Sequence, residues 1–457
     1  MNDIKRIYFI GIGGIGMSAI ARYLLSIGKD IFGYDKTKTD LTKKLEGEGI
    51  KIHYEEDVKG LPKDIDLVIY TPAIPDTHAE LVFFQKNGYD VIKRAEMLGR
   101  LSKVKKTIAI AGTHGKTSTS AMTAHLLKYG NKNISAFIGG IMSNYNSNYI
   151  AGDGDWMVVE ADEYDRSFLH LEPDVIAIMS MDADHLDIYG DHESMQEGFE
   201  EFIKNIKPDG TLIVKPDMLY NMSGPTIDVL ADKNVDVILF SLEDDTEVYA
   251  TNTRVENGKF FFDLYDSKKS TKRIYLPMPG IHNMQNAMVA MTIGRILNLA
   301  PKTMVEGLEL FKGIKRRFEK IVDKKKLVYI DDYAHHPTEL ELTIKSVRML
   351  YKKRKITGVF QPHLYSRTRD FAEGFAQALD LLDEVILLDI YPAREEPIPD
   401  VTSEIIFEKL KNEKAKLIDK SSLLEELESR KFDVLLTLGA GDIDEFVKPI
   451  KNYLEKK

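Results

Sequence analysis

The heptapeptide GTHGKTS, Gly112 to Ser118, carries the most specific chemistry in the chain. Its glycines let backbone amides wrap an anion. Lys116 is spaced to reach terminal phosphates, and the Thr117 hydroxyl to bind magnesium. The loop follows the strand-like TIAIA and precedes a helical stretch ending near Gly130, so Gly112, Thr113, His114, Gly115, Lys116, Thr117 and Ser118 are expected to form a phosphate-binding loop. The strict motif places glycine at position 110, where this chain has Ile110; a generic GTPase or helicase therefore fits less well.

Two further side chains fall where such a loop needs them. Glu160 ends the strand-like WMVVEAD, and His185 follows IAIMS. All strand C-termini of a parallel sheet face one crevice, so both should converge on the phosphates held by Lys116. One magnesium ion would be shared by Thr117 and Glu160 and a second by Glu160 and His185, a two-ion clamp suited to phosphoryl transfer. Taken singly, a Glu or His at a strand end is more often a solvated or structural group; the two together beside a phosphate loop reverse that. The nearby acids Asp162, Glu163 and Asp165 read as surface carboxylates.

A second glycine cluster opens the chain. GIGGIG places Gly11, Gly13 and Gly16 in G-x-G-x-x-G spacing, with Gly14 and Ile15 between, and Asp35 follows Gly16 by 19 residues at the end of the next strand. This pattern presents a helix N-terminus to a diphosphate and an acid to a ribose hydroxyl. NAD and UDP-linked groups satisfy it equally, and a tight strand-to-helix turn without ligand is the alternative.

The elements that must position these residues recur as short apolar runs alternating with amphipathic helical stretches, the pattern of parallel sheets covered by helices. The chain has 457 residues, room for about three domains of roughly 150 residues. Three blocks are expected: a Rossmann-like domain over 1–95, a central P-loop ATPase-type α/β domain over 96–312 and a C-terminal Rossmann-like α/β domain over 313–457. Within the second, NTRVENGKFFFDLY alternates around Asn257-Gly258 and predicts a hairpin.

Composition narrows the classes. The net charge of −10 excludes a global positive field for nucleic acid or anionic lipid. With no cysteine, disulfides, thiolate metal sites and cysteine nucleophiles are excluded. No apolar run reaches the ~18 residues of a membrane helix, and the start lacks a signal-peptide core. A cytoplasmic protein acting on small molecules, without nucleic-acid or membrane partners and as a monomer or weak homo-oligomer, is the expectation.

Taken in order, GTHGKTS, VVEADEYDRSF, DADHLD, PGIHNMQNA, RRFE, DDYAHHPTE and FQPHLYSRTRD resemble the Mur ligases of peptidoglycan synthesis over nearly the whole chain. The pairing of IGIGGIGMS with DDYAHHPTE resembles the members that add the first amino acid; members that recycle a ready-made tripeptide share the second element but differ in the first. The resemblance implies that ATP phosphorylates the lactyl carboxylate of UDP-N-acetylmuramate, and that the amine of L-alanine then attacks the acyl phosphate. It also implies closure of the domains to exclude water. A nicotinamide-dependent oxidoreductase, the alternative of another class, leaves HNMQN and the His185 region unassigned.

By the same resemblance His282, Asn283 and Asn286 contact adenine, Arg317 reaches the ATP phosphates, and Asp332 acts at the ribose or in orienting the third domain. Tyr333, His335 and Arg367 are candidates for the amino-acid end, Arg367 because an α-carboxylate suits a bidentate cation. Gly11 to Gly16 would cradle the uridine diphosphate, with Asp35 and the turn Thr71, Pro72, Ala73 and Ile74 bordering the uridine. Arg94 is either a substrate contact or a helix-start charge. Three positions depart from the family pattern: Leu364 replaces a common arginine, Ser180 an asparagine, and Ala183 a proline.

Overall fold

The computed structural model describes residues 4–182, 189, 191–243, 246–267, 269–393 and 395–456. His185 and Ala183 lie outside them. The chain forms two compact units, Met1–Thr251 with Leu264–Thr271 and Asn286–Phe311, and Asn252–Asp263 with Lys272–Gln285 and Lys312–Lys457. Three sheets fall in chain order.

The first sheet contains β1 (Arg6–Ile10), β2 (Asp30–Tyr34), β3 (Lys51–His53), β4 (Leu67–Tyr70) and β5 (Val91–Lys93), in the order β3-β2-β1-β4-β5. All its pairings are parallel. The chain moves outward from β1 through β3 and then returns to β4, so the switch point lies beside β1, and the GIGGIG loop opens there into α1 (Ile15–Ser26). Apolar side chains alternate across β1: Ile7 and Phe9 join one core layer, Tyr8 and Ile10 the other.

The second sheet contains β6 (Lys106–Ala111), β7 (Ile134–Met142), β8 (Ser147–Ile150), β9 (Trp156–Glu160), β10 (Val175–Ile178), β11 (Thr211–Val214), β12 (Asp236–Ser241), β13 (Val248–Glu256), β14 (Lys259–Asp266) and β15 (Lys269–Leu276). Its order is β15-β14-β13-β12-β11-β10-β6-β9-β7-β8. At its centre β6 lies parallel between β9 and β10, with Ile110 opposite both Glu160 and Ala177. Asn257 and Gly258 both have positive φ, 50° and 73°, as the expected two-residue hairpin turn requires.

The third sheet contains β16 (Glu319–Lys324), β17 (Leu327–Asp332), β18 (Ile356–Phe360), β19 (Glu384–Leu387), β20 (Ala415–Leu417) and β21 (Val434–Leu438), ordered β16-β17-β21-β18-β19-β20. Only β16 runs antiparallel to its neighbour. Asp332, Leu438 and Phe360 share one register line, which brings the ends of three strands to one edge. Among the described residues no helix is long and apolar enough to cross a membrane.

Candidate active site

Register builds the phosphate loop's surroundings. Ile110 is a fully buried member of β6, so the strand continues to Ala111 and the loop proper begins at Gly112. Gly112 has φ +127°, and a Cβ there would stand 2.7 Å from the backbone nitrogen of Ser180, just past β10. No side chain fits in that space. Ser180 clasps the loop: its hydroxyl bonds Thr113 Oγ1 at 2.8 Å and accepts the His114 amide at 2.8 Å. A shorter, hydroxyl-bearing residue at this departure from the family pattern thus has a defined job. The helix that follows, Lys116–Tyr129, carries Thr117 and Ser118 in its first turn.

Thr117 Oγ1 donates to Glu160 Oε1 at 2.8 Å, and Glu160 Oε2 accepts the Gly139 amide at 2.8 Å. A hydroxyl and a carboxylate this close are hard oxygen donors matched to magnesium, which keeps several waters and takes few protein ligands. The residues present therefore fit the ion. Among the described residues no group of three or more His, Cys, Asp or Glu side chains forms a closed cage.

Lys116 Nζ donates to Gly112 O at 2.6 Å and to Glu163 Oε1 at 2.8 Å. Glu163 is fully buried, which corrects its reading as a surface carboxylate. Burial pulls the Lys116 pKa down, but Glu163, with Asp162 and Glu160 behind it, outweighs this and holds the ammonium above its ordinary value. Burial pushes the Glu163 carboxyl up, with Lys116 opposing. The Tyr189 hydroxyl donates to the Glu163 carbonyl at 2.8 Å. Asp162 and Asp165 are half-buried, each on a cation: Arg94 Nη2 at 3.2 Å and Lys93 Nζ at 2.9 Å.

Asn286 is buried on the helix Ile281–Ile296, where its Oδ1 accepts Thr119 Oγ1 at 3.1 Å and faces Gly115 of the loop. Asn283 donates to the Pro279 carbonyl at 3.1 Å. His282 lies one residue inside the helix start.

In the first glycine loop the Tyr34 carbonyl accepts the amides of Gly11 and Ile12, at 2.8 and 3.0 Å. Asp35 accepts the amides of Gly13 at 2.7 Å and Thr37 at 3.0 Å, so it fastens the loop as well as standing at the end of β2. Gly11 packs against Thr71 and Ile74 of the TPAI turn, which is closed by an Ile74 amide to Thr71 carbonyl bond of 3.0 Å. Pro72 and Ala73 are exposed at its tip. Arg94 begins the helix Arg94–Val104, and a Cβ on Gly16 would collide with its Nη1. It is thus a helix-start residue that also touches the loop.

At the edge of the third sheet, Asp332 Oδ2 accepts the Phe318 amide at 2.6 Å and Oδ1 the Ala334 amide at 2.8 Å. Burial pushes its carboxyl up to about 6 against the pull of Arg317 and these two amides. Arg317 stands 5.0 Å over the Tyr333 ring and 3.6 Å from Glu339 Oε1. His335 Nδ1 lies 3.0 Å from the Tyr333 carbonyl and 3.2 Å from Glu339 Oε2. Glu339 therefore joins Arg317 to His335, a role its sequence position in a helix first turn does not signal. Arg367 is buried on the short helix Tyr365–Asp370. Leu364, the residue before that helix, is held at φ 69°.

The chain matches the models "Mur ligase family, catalytic domain" over residues 6–106, "Mur ligase middle domain" over 110–294 and "Mur ligase, glutamate ligase domain" over 316–441. It is 46% identical over 467 residues to a UDP-N-acetylmuramate–L-alanine ligase of Cytophaga hutchinsonii, covering 100% of this chain and 98% of that one. A ligase of the same name from Porphyromonas gingivalis is 45% identical, with 99% of each chain covered. The crystal structure of UDP-N-acetylmuramate-alanine ligase MurC from Thermotoga maritima superposes with a TM-score of 0.81 at 29% identity, covering 99% of this chain and 100% of that one. With three Mur ligase models matched one after another along the chain and full-length identity at this level, the chain belongs to the Mur ligase family.

Proposed function

We propose that this protein joins L-alanine to the lactyl carboxylate of UDP-N-acetylmuramate with ATP, giving ADP, phosphate and UDP-N-acetylmuramoyl-L-alanine for peptidoglycan. The observation that carries this reading is full-length identity of 46% to a protein named for that activity, in a chain where Lys116 and Thr117 of one loop bond Glu163 and Glu160. Residues 1–95 take the UDP-substrate, 96–312 ATP, and 313–457 the amino acid.

The γ-phosphoryl group passes to a lactyl carboxylate oxygen as its bond to ADP breaks. Lys116 offsets the repulsion between the two anions, the main barrier to this step. Thr117, Glu160 and His185 would hold magnesium, which supplies further positive charge against the phosphate oxygens. The amine of L-alanine then adds to the acyl phosphate carbonyl, and the tetrahedral intermediate expels phosphate. Arg367 orients the α-carboxylate of the amino acid. His335 donates its Nδ1 proton to the Tyr333 carbonyl, which leaves Nε2 as the acceptor for the proton released by the amine. Asn286, Asn283 and His282 border the adenine, and Arg317 with Asp332 the rest of the nucleotide.

A phosphate-release assay with UDP-N-acetylmuramate, ATP and each amino acid in turn tests the reading. Release that depends on L-alanine is expected. Release independent of any amino acid sinks it, and release supported only by a tripeptide reassigns the chain to recycling.

A further inference from the structure

The two glycine loops, one read as a diphosphate site and the other as the ATP site, are connected by a short series of packing contacts, ion pairs and chain neighbours. Arg94 packs on Gly16, the last glycine of the first loop, and its Nη2 reaches Asp162 Oδ2 at 3.2 Å. The next residue, Glu163, bonds Lys116 of the second loop at 2.8 Å. The turn that follows these two acids is held in a costly shape: Asp165 and Arg166 both adopt left-handed φ, 53° and 51°, which L-residues avoid. Three bonds keep it so. Lys93 pairs with Asp165 at 2.9 Å, the Arg166 amide donates to the Glu163 carbonyl at 3.0 Å, and the Phe168 amide to the Asp162 carbonyl at 3.0 Å. Asp162 and Glu163 are therefore tied into one turn.

We propose that Arg94, Asp162 and Glu163 couple the two loops, so that a diphosphate on the first tightens nucleotide binding on the second. This rests on reading the first loop as the uridine diphosphate site. A guanidinium is a planar fork with five donors, so Arg94 can bond a phosphate at Gly16 with one edge while Nη2 keeps Asp162. Anchoring Arg94 then restrains Asp162 and, through the adjoining Glu163, Lys116. A second ligand meets a site already ordered and binds more tightly. The effect must be reciprocal.

Calorimetric titration of the full chain with UDP, with and without a saturating nonhydrolysable ATP analogue and magnesium, tests this. UDP should bind about fivefold tighter or more when the analogue is present, within the usual range of coupling between sites. Asp162→Asn should reduce the coupling below about twofold, because the neutral amide loses its charged bond to Arg94. Arg94→Lys, which keeps charge but not the fork, should lose the coupling as well, a second route should the first variant fold poorly. Binding of both ligands to the unaltered protein without coupling overturns the link alone. So does coupling that persists in either variant. Failure of UDP to bind under any condition overturns both the link and the reading of the first loop.

Discussion

Lys116 and Glu163 form a buried pair in which neither half can be removed without consequence for the other. Lys116→Ala removes the charge set against the phosphates, and ATP-dependent phosphate release should fall by at least about 100-fold. The variant still folds, but it leaves a carboxyl buried without its cation and should lose about 3 kcal/mol. Adding Glu163→Gln should recover much of that stability and none of the activity. Thermal melts paired with phosphate release decide it: equal stability of the single and double variants would remove the pair from this account. Asp332 gives a second residue-level test. Its folded pKa of about 6 lies above the ordinary 3.8, so between pH 4 and 6 the folded protein holds a proton that the unfolded chain has released. The group's stabilising contribution is full below pH 4 and is lost as pH rises through 6, a change of about 2–3 kcal/mol. Asp332→Asn abolishes this slope, so urea unfolding should find it more destabilised relative to the unaltered protein at pH 4.5 than at pH 7. Lys116 and Thr117 were legible in the sequence because loop chemistry fixes their spacing. Glu163 was not, because an acid in VVEADEYD reads the same whether solvated or covered, and only packing against Lys116 and Tyr189 distinguishes the two.

At the level of elements, strand identity was readable and register was not. Buried strands such as RIYFI and VLLTL announce themselves as continuous apolar runs, and Asn257-Gly258 announces its turn. That Ile110 lies opposite Glu160 and Ala177 follows only from how the strands pair, yet this register sets Glu160 and Ser180 beside the loop. It also explains the missing glycine at 110, where a buried strand position needs a side chain. Two glycines separate turn chemistry from site chemistry. Gly258 has φ +73° with open space where a Cβ would stand, so Gly258→Ala should cost about 1 kcal/mol in stability and leave nucleotide binding unchanged. Gly112→Ala meets both φ +127° and the Ser180 backbone at 2.7 Å, and should displace the loop and weaken binding of an ATP analogue by at least about tenfold. Titration with the analogue checks both, and similar losses in the two variants would contradict the assignment of the loop.

For the whole molecule, charge and function pull against each other. Three sheets occupy 6–93, 106–276 and 319–438, and the anions assigned to them must be gathered by a chain of net charge −10. Long-range attraction is thus unavailable, and the cations proposed to act on them lie close in: Lys116 inside its loop, Arg94 on Gly16, Arg317 over Tyr333, and buried Arg367. Contacts at such range lie well within the Debye length, about 10 Å at 0.1 M salt, and are screened little, whereas a steering field would be screened strongly. Raising sodium chloride from about 50 to 200 mM should therefore change kcat/KM for UDP-N-acetylmuramate by less than about twofold. A tenfold fall over that interval would mean that substrates are drawn in by a field extending beyond the site, and would require a concentrated basic surface that the net charge argues against. A rise would have the opposite cause, relief of repulsion from the acidic exterior, and would leave the short-range account of binding intact.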